Sequence, residues 1–193
     1  MAEDFDPCIL AGDGITLSLF RTDDVEELNR IINENRDYLA GWLNVIGNPS
    51  TRNEVHQFIR NNQNNCRDAL SENYRSHPGF ELAIRMEGEV VGMIGYQGIH
   101  WLNRLTALGY WVVPAHQGKG IVTKSCSALV NYTYRKLKLN RIEIQCAEDN
   151  PASMGVPERL GFHHEALLAE VEKRGEDFVS HHLYRMLRRD WEK

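Results

Sequence analysis

The stretch GYWVVPAHQGKGIVT, residues 109–123, decides the fold of this chain. Its first half predicts a buried strand that ends at Pro114, and its second half predicts a glycine-bracketed turn that opens a long helix. The first N–H groups of a helix have no intrahelical partner and lie at the positive end of the helix dipole. Gly118 and Gly120 let the backbone approach a ligand without an intervening Cβ, and Lys119 adds a cation. The stretch therefore predicts a diphosphate-binding loop.

Two common phosphate-binding motifs do not fit this loop. A P-loop needs a glycine five residues before the Gly-Lys pair, where this chain has Val113, and it needs Ser or Thr after Lys119, where the chain has Gly120. A dinucleotide fingerprint would need a third glycine at the position of Thr123. The pattern that remains is Gln-x-x-Gly-x-Val over residues 117–122.

That pattern resembles the coenzyme A loop of the GNAT superfamily of N-acetyltransferases, Gln/Arg-x-x-Gly-x-Gly/Ala, from which Val122 departs at the last position. The segment NPASMGVPERLGF, residues 150–162, resembles the second signature of that family, Asn-x-x-Ser followed by a short helix that ends in Leu-Gly-Phe. It follows Gly120 by thirty residues and comes after a strand predicted over Arg141–Ala147, which is the order that the family requires. The resemblance extends over residues 15–191.

Three shorter segments are similar to the RimJ/RimL-like branch, whose best-known members acetylate the N-terminal amine of ribosomal proteins. They are residues 39–43 with Trp42, residues 156–159 and residues 189–191. One departure concerns the acceptor, because relatives usually carry an Asp shortly before the last Tyr of the final strand, where this chain has Ser180. If that Asp reads the substrate amine, the acceptor of this chain differs from the usual one.

The resemblance implies a single N-acetyltransferase domain over residues 1–193, of mixed α/β (α+β) class. Its expected centre is a mixed, mostly antiparallel sheet of about seven strands, flanked by helices and splayed at the cofactor site. Alternation and turn residues in the chain itself also favour a mixed sheet with helices on both faces. The strands are expected at residues 15–20, 80–86, 90–99, 106–113, 141–147, 163–171 and 178–187, and a long helix at 118–137.

The resemblance further implies acetyl-CoA as the cofactor, with coenzyme A as product. The splayed strand would leave a backbone N–H free at Val112 or Val113 for the thioester oxygen, an oxyanion donor worth roughly 2.7–4 kcal/mol elsewhere. The residues expected to bind the cofactor are Val112, Val113, Gln117, Gly118, Lys119, Gly120, Ile121, Val122, Thr123, Asn150 and Ser153.

Proton transfer has one candidate acid and several candidate bases. Ser153 is implied as the group that protonates the leaving thiolate, although a serine at a helix start also makes purely local hydrogen bonds. For the base, the branch suggests Glu172 or Glu170, and Glu143 is a third candidate. A protein α-amine has a pKa of roughly 7.7–8.0, so a water molecule remains a further alternative.

Aromatic and polar residues outside the loop are candidates for binding the acceptor. Trp42, Tyr96, Trp101 and Asn103 are expected to wall a groove, and Glu143 lies on the neighbouring strand. A Trp or Tyr at helical or strand spacing also fits a core position, which is the competing interpretation.

The composition of the whole chain excludes several classes. The 193 residues carry a net charge of −5 with no basic stripe, which argues against a nucleic-acid partner. No apolar run approaches a membrane span and the start does not resemble a signal peptide, so we expect a cytoplasmic protein. The four cysteines are expected as free thiols, and no metal site is expected from the cysteines and histidines. A homodimer stays an open alternative to a monomer.

These features together predict an acetyl-CoA-dependent N-acetyltransferase acting on a primary amine by direct attack in a ternary complex. The leading acceptor is a protein N-terminal α-amine, as on a ribosomal protein. The alternatives are a small amine (a polyamine, an amino sugar or an aminoacylated toxin) and a non-catalytic coenzyme A-binding sensor. An ATP-dependent enzyme lacks a Walker Lys-Ser/Thr and an evident pair of Mg²⁺-binding carboxylates.

Overall fold

The computed structural model of the protein describes residues 7–42, 50–70 and 76–191. Eight strands are found within these ranges: β1 Cys8–Gly12, β2 Ile15–Leu19, β3 Glu81–Met86, β4 Glu89–His100, β5 Leu105–Val112, β6 Arg141–Ala147, β7 His163–Arg174 and β8 Asp177–Leu187. They form one sheet in the order β1-β2-β3-β4-β5-β6-β8-β7. Every neighbouring pair is antiparallel except β5 and β6, which are parallel.

Helices cover both faces of this sheet. They are α1 Val25–Glu34, α2 Arg36–Ala40, α3 Arg52–Ala69, α4 Ile121–Tyr132, α5 Pro151–Arg159 and α6 Arg188–Trp191. Among the described residues, no helix is both long enough and apolar enough to cross a membrane. Helix α4 forms the crossover between the parallel strands β5 and β6, as such a connection requires.

The two faces have separate apolar cores. Helix α1 buries Val25, Leu28 and Ile31, spaced three residues apart, in the cluster that also holds Ile59 of α3. Helices α4 and α5 pack into the larger cluster on the other face. The α4 residues buried there are Ile121, Cys126, Leu129 and Val130. Helix α3 begins with a capping box, in which Thr51 Oγ1 accepts from Glu54 N at 3.2 Å.

The predicted class, a mixed and mostly antiparallel sheet flanked by helices, is confirmed, but the sheet has eight strands instead of about seven. The additional strand is β1, an edge strand of five residues that pairs with β2 through a tight turn at Asp13 and Gly14. The predicted helix over residues 118–137 begins at Ile121, and its last turn, Thr133–Leu137, is a π-helix. Of the segment 39–43, residue 43 lies outside the described residues.

Candidate functional site

Strands β5 and β6 pair at one end and separate at the other. Their parallel ladder joins residues 105–107 to residues 141–143 and goes no further. Strand β5 stays paired with β4 up to Val112, and β6 stays paired with β8 up to Ala147, so the two strands diverge like the arms of a V. Both arms line a cavity of about 650 Å³. This gap in the sheet is the candidate site.

The alternation of the β5 backbone decides which of the two valine N–H groups, Val112 or Val113, faces the gap. Val113 N donates to Val91 O of β4 at 2.9 Å, so this amide is already used. Because N–H groups alternate between the two sides of an antiparallel strand, the N–H of Val112 points away from β4 and toward the gap. Val112 therefore remains the candidate oxyanion donor, and the alternative that gave this role to Val113 is wrong.

The glycine loop lies at the mouth of the same cavity. Gly118 and Gly120 adopt left-handed backbone angles, with φ of 70° and 75°, and a Cβ added at either would meet no atom within 4 Å. Lys124 N donates to Gly120 O, and the amides of residues 121–123 precede this bond in the first turn of α4. An open concave backbone at a helix N-terminus is a suitable cradle for a phosphate or diphosphate.

A guanidinium contributes positive charge to the cavity wall beside the glycine loop. Lys119 is exposed and does not line the cavity, whereas Arg159 of α5 does. The Arg159 guanidinium lies over Gly155, where an added Cβ would come within 2.7 Å of Nη1, and Nη2 donates to Thr123 Oγ1 at 3.2 Å. Sequence reasoning missed this residue, because only the packing of α5 against α4 brings its charge to the loop.

Two side chains near the loop have unusual polar environments. The buried Nδ1 of His116 has no hydrogen-bond partner within the described part of the chain, and His116 lines the cavity. Gln117 donates through Nε2 to the Tyr38 hydroxyl of α2, which also lines the cavity.

Helix α5 presents Ser153 to the gap through a specific break in its hydrogen bonding. The Asn150 side chain caps the helix by accepting from Ser153 N at 3.0 Å. Pro157, four residues after Ser153, has no N–H, so the Ser153 carbonyl has no intrahelical donor. The Tyr110 hydroxyl of β5 donates to that carbonyl at 3.0 Å instead. This bond ties β5 to α5 across the cavity.

Ser153 Oγ lies in a small cluster of protonated groups. It donates to Cys146 Sγ at 3.3 Å and lies 3.5 Å from the Tyr110 hydroxyl. Burial raises the pKa of Tyr110 well above its usual value, and burial also raises the pKa of the Cys146 thiol. Both groups therefore keep their protons at neutral pH, and Ser153 is hydrogen-bonded by neutral neighbours. Cys146 is a free, buried cysteine that also lines the cavity.

The opposite wall of the cavity carries an ionic chain from β7 and β8. His181 Nε2 lies 2.6 Å from Glu172 Oε2, and Arg174 Nη2 lies 3.2 Å from the same oxygen. Arg174 also pairs with Asp149 at 2.8 Å, and its guanidinium carbon lies 5.5 Å from the centre of the Trp42 ring. Trp42, Arg174 and His181 line the cavity. Sequence reasoning missed Arg174 and His181, because their grouping depends on strand register.

The two carboxylates predicted as bases differ in their surroundings. Burial tends to raise the pKa of Glu172, but the hydrogen bonds from His181 and Arg174 outweigh it and hold the pKa below its usual range. Glu170 is exposed, has a left-handed φ of 52° and lies in a register shift between Leu168 and Glu172. The register shift interrupts the regular alternation of side chains between the two carboxylates, and neither lines the cavity.

Two aromatic residues expected in the acceptor groove belong to the core. Tyr96 is 1% exposed, and its hydroxyl lies 2.8 Å from Thr133 Oγ1. Trp101 follows β4, packs against the core and donates through Nε1 to Ala69 O at 2.9 Å. Neither reaches the cavity, so the competing interpretation as core residues is the correct one for both.

The remaining two acceptor candidates also lie away from the gap. Asn103 is exposed in the turn between β4 and β5. Glu143 lies where β5 and β6 are still paired, opposite Ala107, and forms an ion pair with Arg141 at 2.6 Å. Of the five residues expected to bind the acceptor, Trp42 alone lines the cavity.

Comparison with known proteins gives consistent results. The family model described as acetyltransferase (GNAT) domain matches residues 15–163. The chain is 33% identical over 183 residues to the Bacillus subtilis (strain 168) protein named "Putative ribosomal N-acetyltransferase YdaF", covering 92% of this chain and 93% of that one. It is 28% identical over 179 residues to the ribosomal-protein-serine acetyltransferase of Escherichia coli (strain K12), covering 91% and 94%. A crystal structure described as a probable acetyltransferase superimposes with a TM-score of 0.84 at 29% identity, covering 96% of this chain and 99% of that one.

Proposed function

The chain belongs to the GNAT acetyltransferase family, and we propose that it acetylates the N-terminal α-amine of a protein in the gap between β5 and β6. It is an acetyl-CoA-dependent N-acetyltransferase of the RimJ/RimL-like branch. Those relatives span nearly all of both chains, so the likeness includes the elements around the gap as well as the glycine loop.

The described residues fit acetyl-CoA, which supplies the thioester whose acetyl group is transferred. The open backbone at Gly118 and Gly120 and the amides of residues 121–123 would hold the diphosphate, with the Arg159 guanidinium beside them. His116 lines the same space. Gln117, Asn150 and Ser153 complete this wall.

The gap also supplies groups for acetyl transfer. The N–H of Val112 would stabilise negative charge on the carbonyl oxygen, a contribution of about 2.7–4 kcal/mol for one such donor. Ser153 Oγ lies among protonated groups and would hand a proton to the leaving thiolate. Tyr110 holds Ser153 in place by donating to its carbonyl.

The observation that carries the acceptor assignment is the charge of the cavity wall. Among the residues that the structure describes, none lining the cavity is Asp or Glu, and the charged ones are Arg159 and Arg174. A polyamine carries two or more positive charges and would need carboxylates there. A single α-amine has a pKa of roughly 7.7–8.0 and needs little help to lose its proton. The names of two relatives, a putative ribosomal N-acetyltransferase and a ribosomal-protein-serine acetyltransferase, support a protein as the acceptor.

An acceptor screen tests this proposal. Release of coenzyme A from acetyl-CoA would be followed with a thiol reagent, using short peptides with free N-termini, the same peptides with blocked N-termini, spermidine and an amino sugar. We expect turnover with free peptides and none with blocked ones. A higher kcat/KM for spermidine or the amino sugar than for every peptide would contradict the proposal. Binding of acetyl-CoA without turnover of any amine would indicate a sensor.

A further inference from the structure

His181 is directed toward the acceptor side of the gap by the register of β8. It pairs with Ala147, the last residue of β6, and its side chain is 18% exposed. Side chains alternate along a strand, and Tyr184 on the other face donates its hydroxyl to Glu158 of α5. His181 therefore faces away from α5 and Ser153, and it lines the cavity opposite them.

The contact with Glu172 determines which nitrogen of His181 carries the hydrogen. Hydrogen bonds hold the pKa of Glu172 below its usual range, so its carboxylate is charged at neutral pH and can only accept. The hydrogen of the 2.6 Å contact must then lie on His181 Nε2. In neutral imidazole the other nitrogen, Nδ1, holds the lone pair. Within the described part of the chain, Nδ1 has no hydrogen-bond partner.

The carboxylate that orients His181 is itself fixed. Arg174 contacts both oxygens of Glu172, at 3.4 Å through Nε and 3.2 Å through Nη2. Arg174 is in turn held by Asp149 and lies over the ring of Trp42. Glu172, Arg174 and Asp149 are the charged groups in this chain of contacts. A base oriented by a second group, which is oriented by a third, is the usual construction of a positioned proton acceptor.

We propose that His181 is the general base of the acetyl transfer and that Glu172 is the residue that positions it. This inference rests on the proposed function, because it concerns proton transfer from the acceptor amine. The protonated amine gives one proton to Nδ1, and its freed lone pair forms the C–N bond to the thioester carbon. The C–S bond breaks, the thiolate takes a proton from Ser153 Oγ, Ser153 is reprotonated from the new amide nitrogen, and His181 releases its proton to solvent.

The structure thus separates the two proton-transfer groups onto opposite faces of the sheet. Ser153 lies with α5 on one face, where the thiol leaves. His181 lies on the other face with Trp42 and Arg174, where the amine would arrive. With this division, the amine and the thiolate can exchange protons with two different groups on opposite sides of the thioester.

Kinetics of His181→Asn and Glu172→Gln test the proposal, with His182→Asn as the matched control. His182 is the next residue on β8, faces the other way, lies 2.9 Å from His164 and does not line the cavity. We expect His181→Asn to lower kcat about 10-fold at pH 7, because only about a tenth of an α-amine is neutral there without a base, while the acceptor KM and acetyl-CoA affinity stay unchanged. Glu172→Gln should show a smaller loss, and His182→Asn none.

The pH dependence separates a base from a merely structural residue. About a tenth of an α-amine is neutral at pH 7 and about nine tenths at pH 9, so the loss in His181→Asn should shrink about tenfold between them. A loss that does not change with pH, or a kcat within about threefold of wild type at pH 7, would overturn the proposal. The same kinetic measurements can be made with any amine that the enzyme accepts. If that amine is not a peptide, the proposed function is refuted, but the role of His181 as the base is still tested by these variants.

A readout that needs no turnover is the tautomer of His181. The ¹⁵N shifts of its ring in the intact wild-type protein should show hydrogen on Nε2 and a lone pair on Nδ1. Hydrogen on Nδ1 would overturn the proposal, since that nitrogen could then accept no proton. Glu172→Gln should mix the two tautomers, because an amide can either donate or accept.

Discussion

Replacing Gly120 by glutamate tests whether the glycine loop binds acetyl-CoA, because the variant should still fold. In the folded protein an added Cβ would meet no atom within 4 Å, so the variant has room for the side chain. The remaining cost is the left-handed φ of 75°, which is about 1–2 kcal/mol for a residue other than glycine. For a chain of this size that corresponds to a melting temperature lower by about 2–8 °C without ligand.

Binding should suffer more than folding does. The new carboxylate would stand in the open space above the amides of residues 121–123, where the diphosphate is proposed to lie. Two like charges about 4 Å apart repel by about 1 kcal/mol in water and about 4 kcal/mol at an effective dielectric constant of 20. A factor of ten in affinity is about 1.4 kcal/mol, so the dissociation constant of acetyl-CoA should rise by about 5-fold to 1,000-fold.

The control is Gly175→Glu in the turn between β7 and β8. Gly175 also has a left-handed φ, 65°, and open space around it, so it bears the same backbone cost and the same added charge. Isothermal titration with acetyl-CoA and thermal unfolding without ligand would be measured for both variants. Wild-type affinity in a folded Gly120→Glu protein would remove the loop from the site. An equal loss in Gly175→Glu would show that position does not matter.

Three further changes test the site and its support. Ser153→Ala should lower kcat about 100-fold with acetyl-CoA affinity unchanged, measured by steady-state kinetics; an unchanged kcat would exclude its role as acid. Tyr110→Phe leaves the Ser153 carbonyl without its donor, so urea unfolding should show about 1–3 kcal/mol less stability, and an equal stability would mean that the bond contributes nothing. Burial raises the pKa of Glu81 from 4.5 to about 7, so the folded protein keeps this proton longer than the unfolded chain does. The protonated Glu81 therefore contributes to the free energy of unfolding below pH 4.5, and this contribution is lost as the pH rises to about 7. In urea titrations at several pH values, Glu81→Gln should remove this decrease in stability with pH. The same decrease in the variant as in the wild type would contradict the assignment.

Local features of the fold were predictable from the sequence. Strand β6 runs over Arg141–Ala147 as expected, because alternation of apolar residues directly reflects the period of a strand. Gly118 and Gly120 have the left-handed backbone angles that their loop requires. This conformation depends on the residues of the loop itself. The edge strand β1 was missed, since its five residues are a strand only through pairing with β2.

The composition of the cavity wall was less predictable. Trp42 lines the cavity, whereas Tyr96 and Trp101 pack in the apolar core. All three are aromatic residues that the sequence alone does not distinguish. Periodicity identifies a residue that is buried but does not say what it is buried against. The choice of Val112 over Val113 as the oxyanion donor likewise depended on which N–H group donates a hydrogen bond to β4.

By itself, then, the sequence determined the glycine loop, the Asn150–Ser153 helix start and the family, because each depends on residues within a few positions of one another. The tertiary structure alone decided that Tyr110 holds the Ser153 carbonyl and that His181 rests on Glu172. The first contact joins residues 43 apart across the sheet gap, and the second follows from a register shift in β7. The physical reason is that the first contact depends on how far β5 and β6 diverge and the second on how β7 aligns with β8. Strand pairing over the whole sheet determines both.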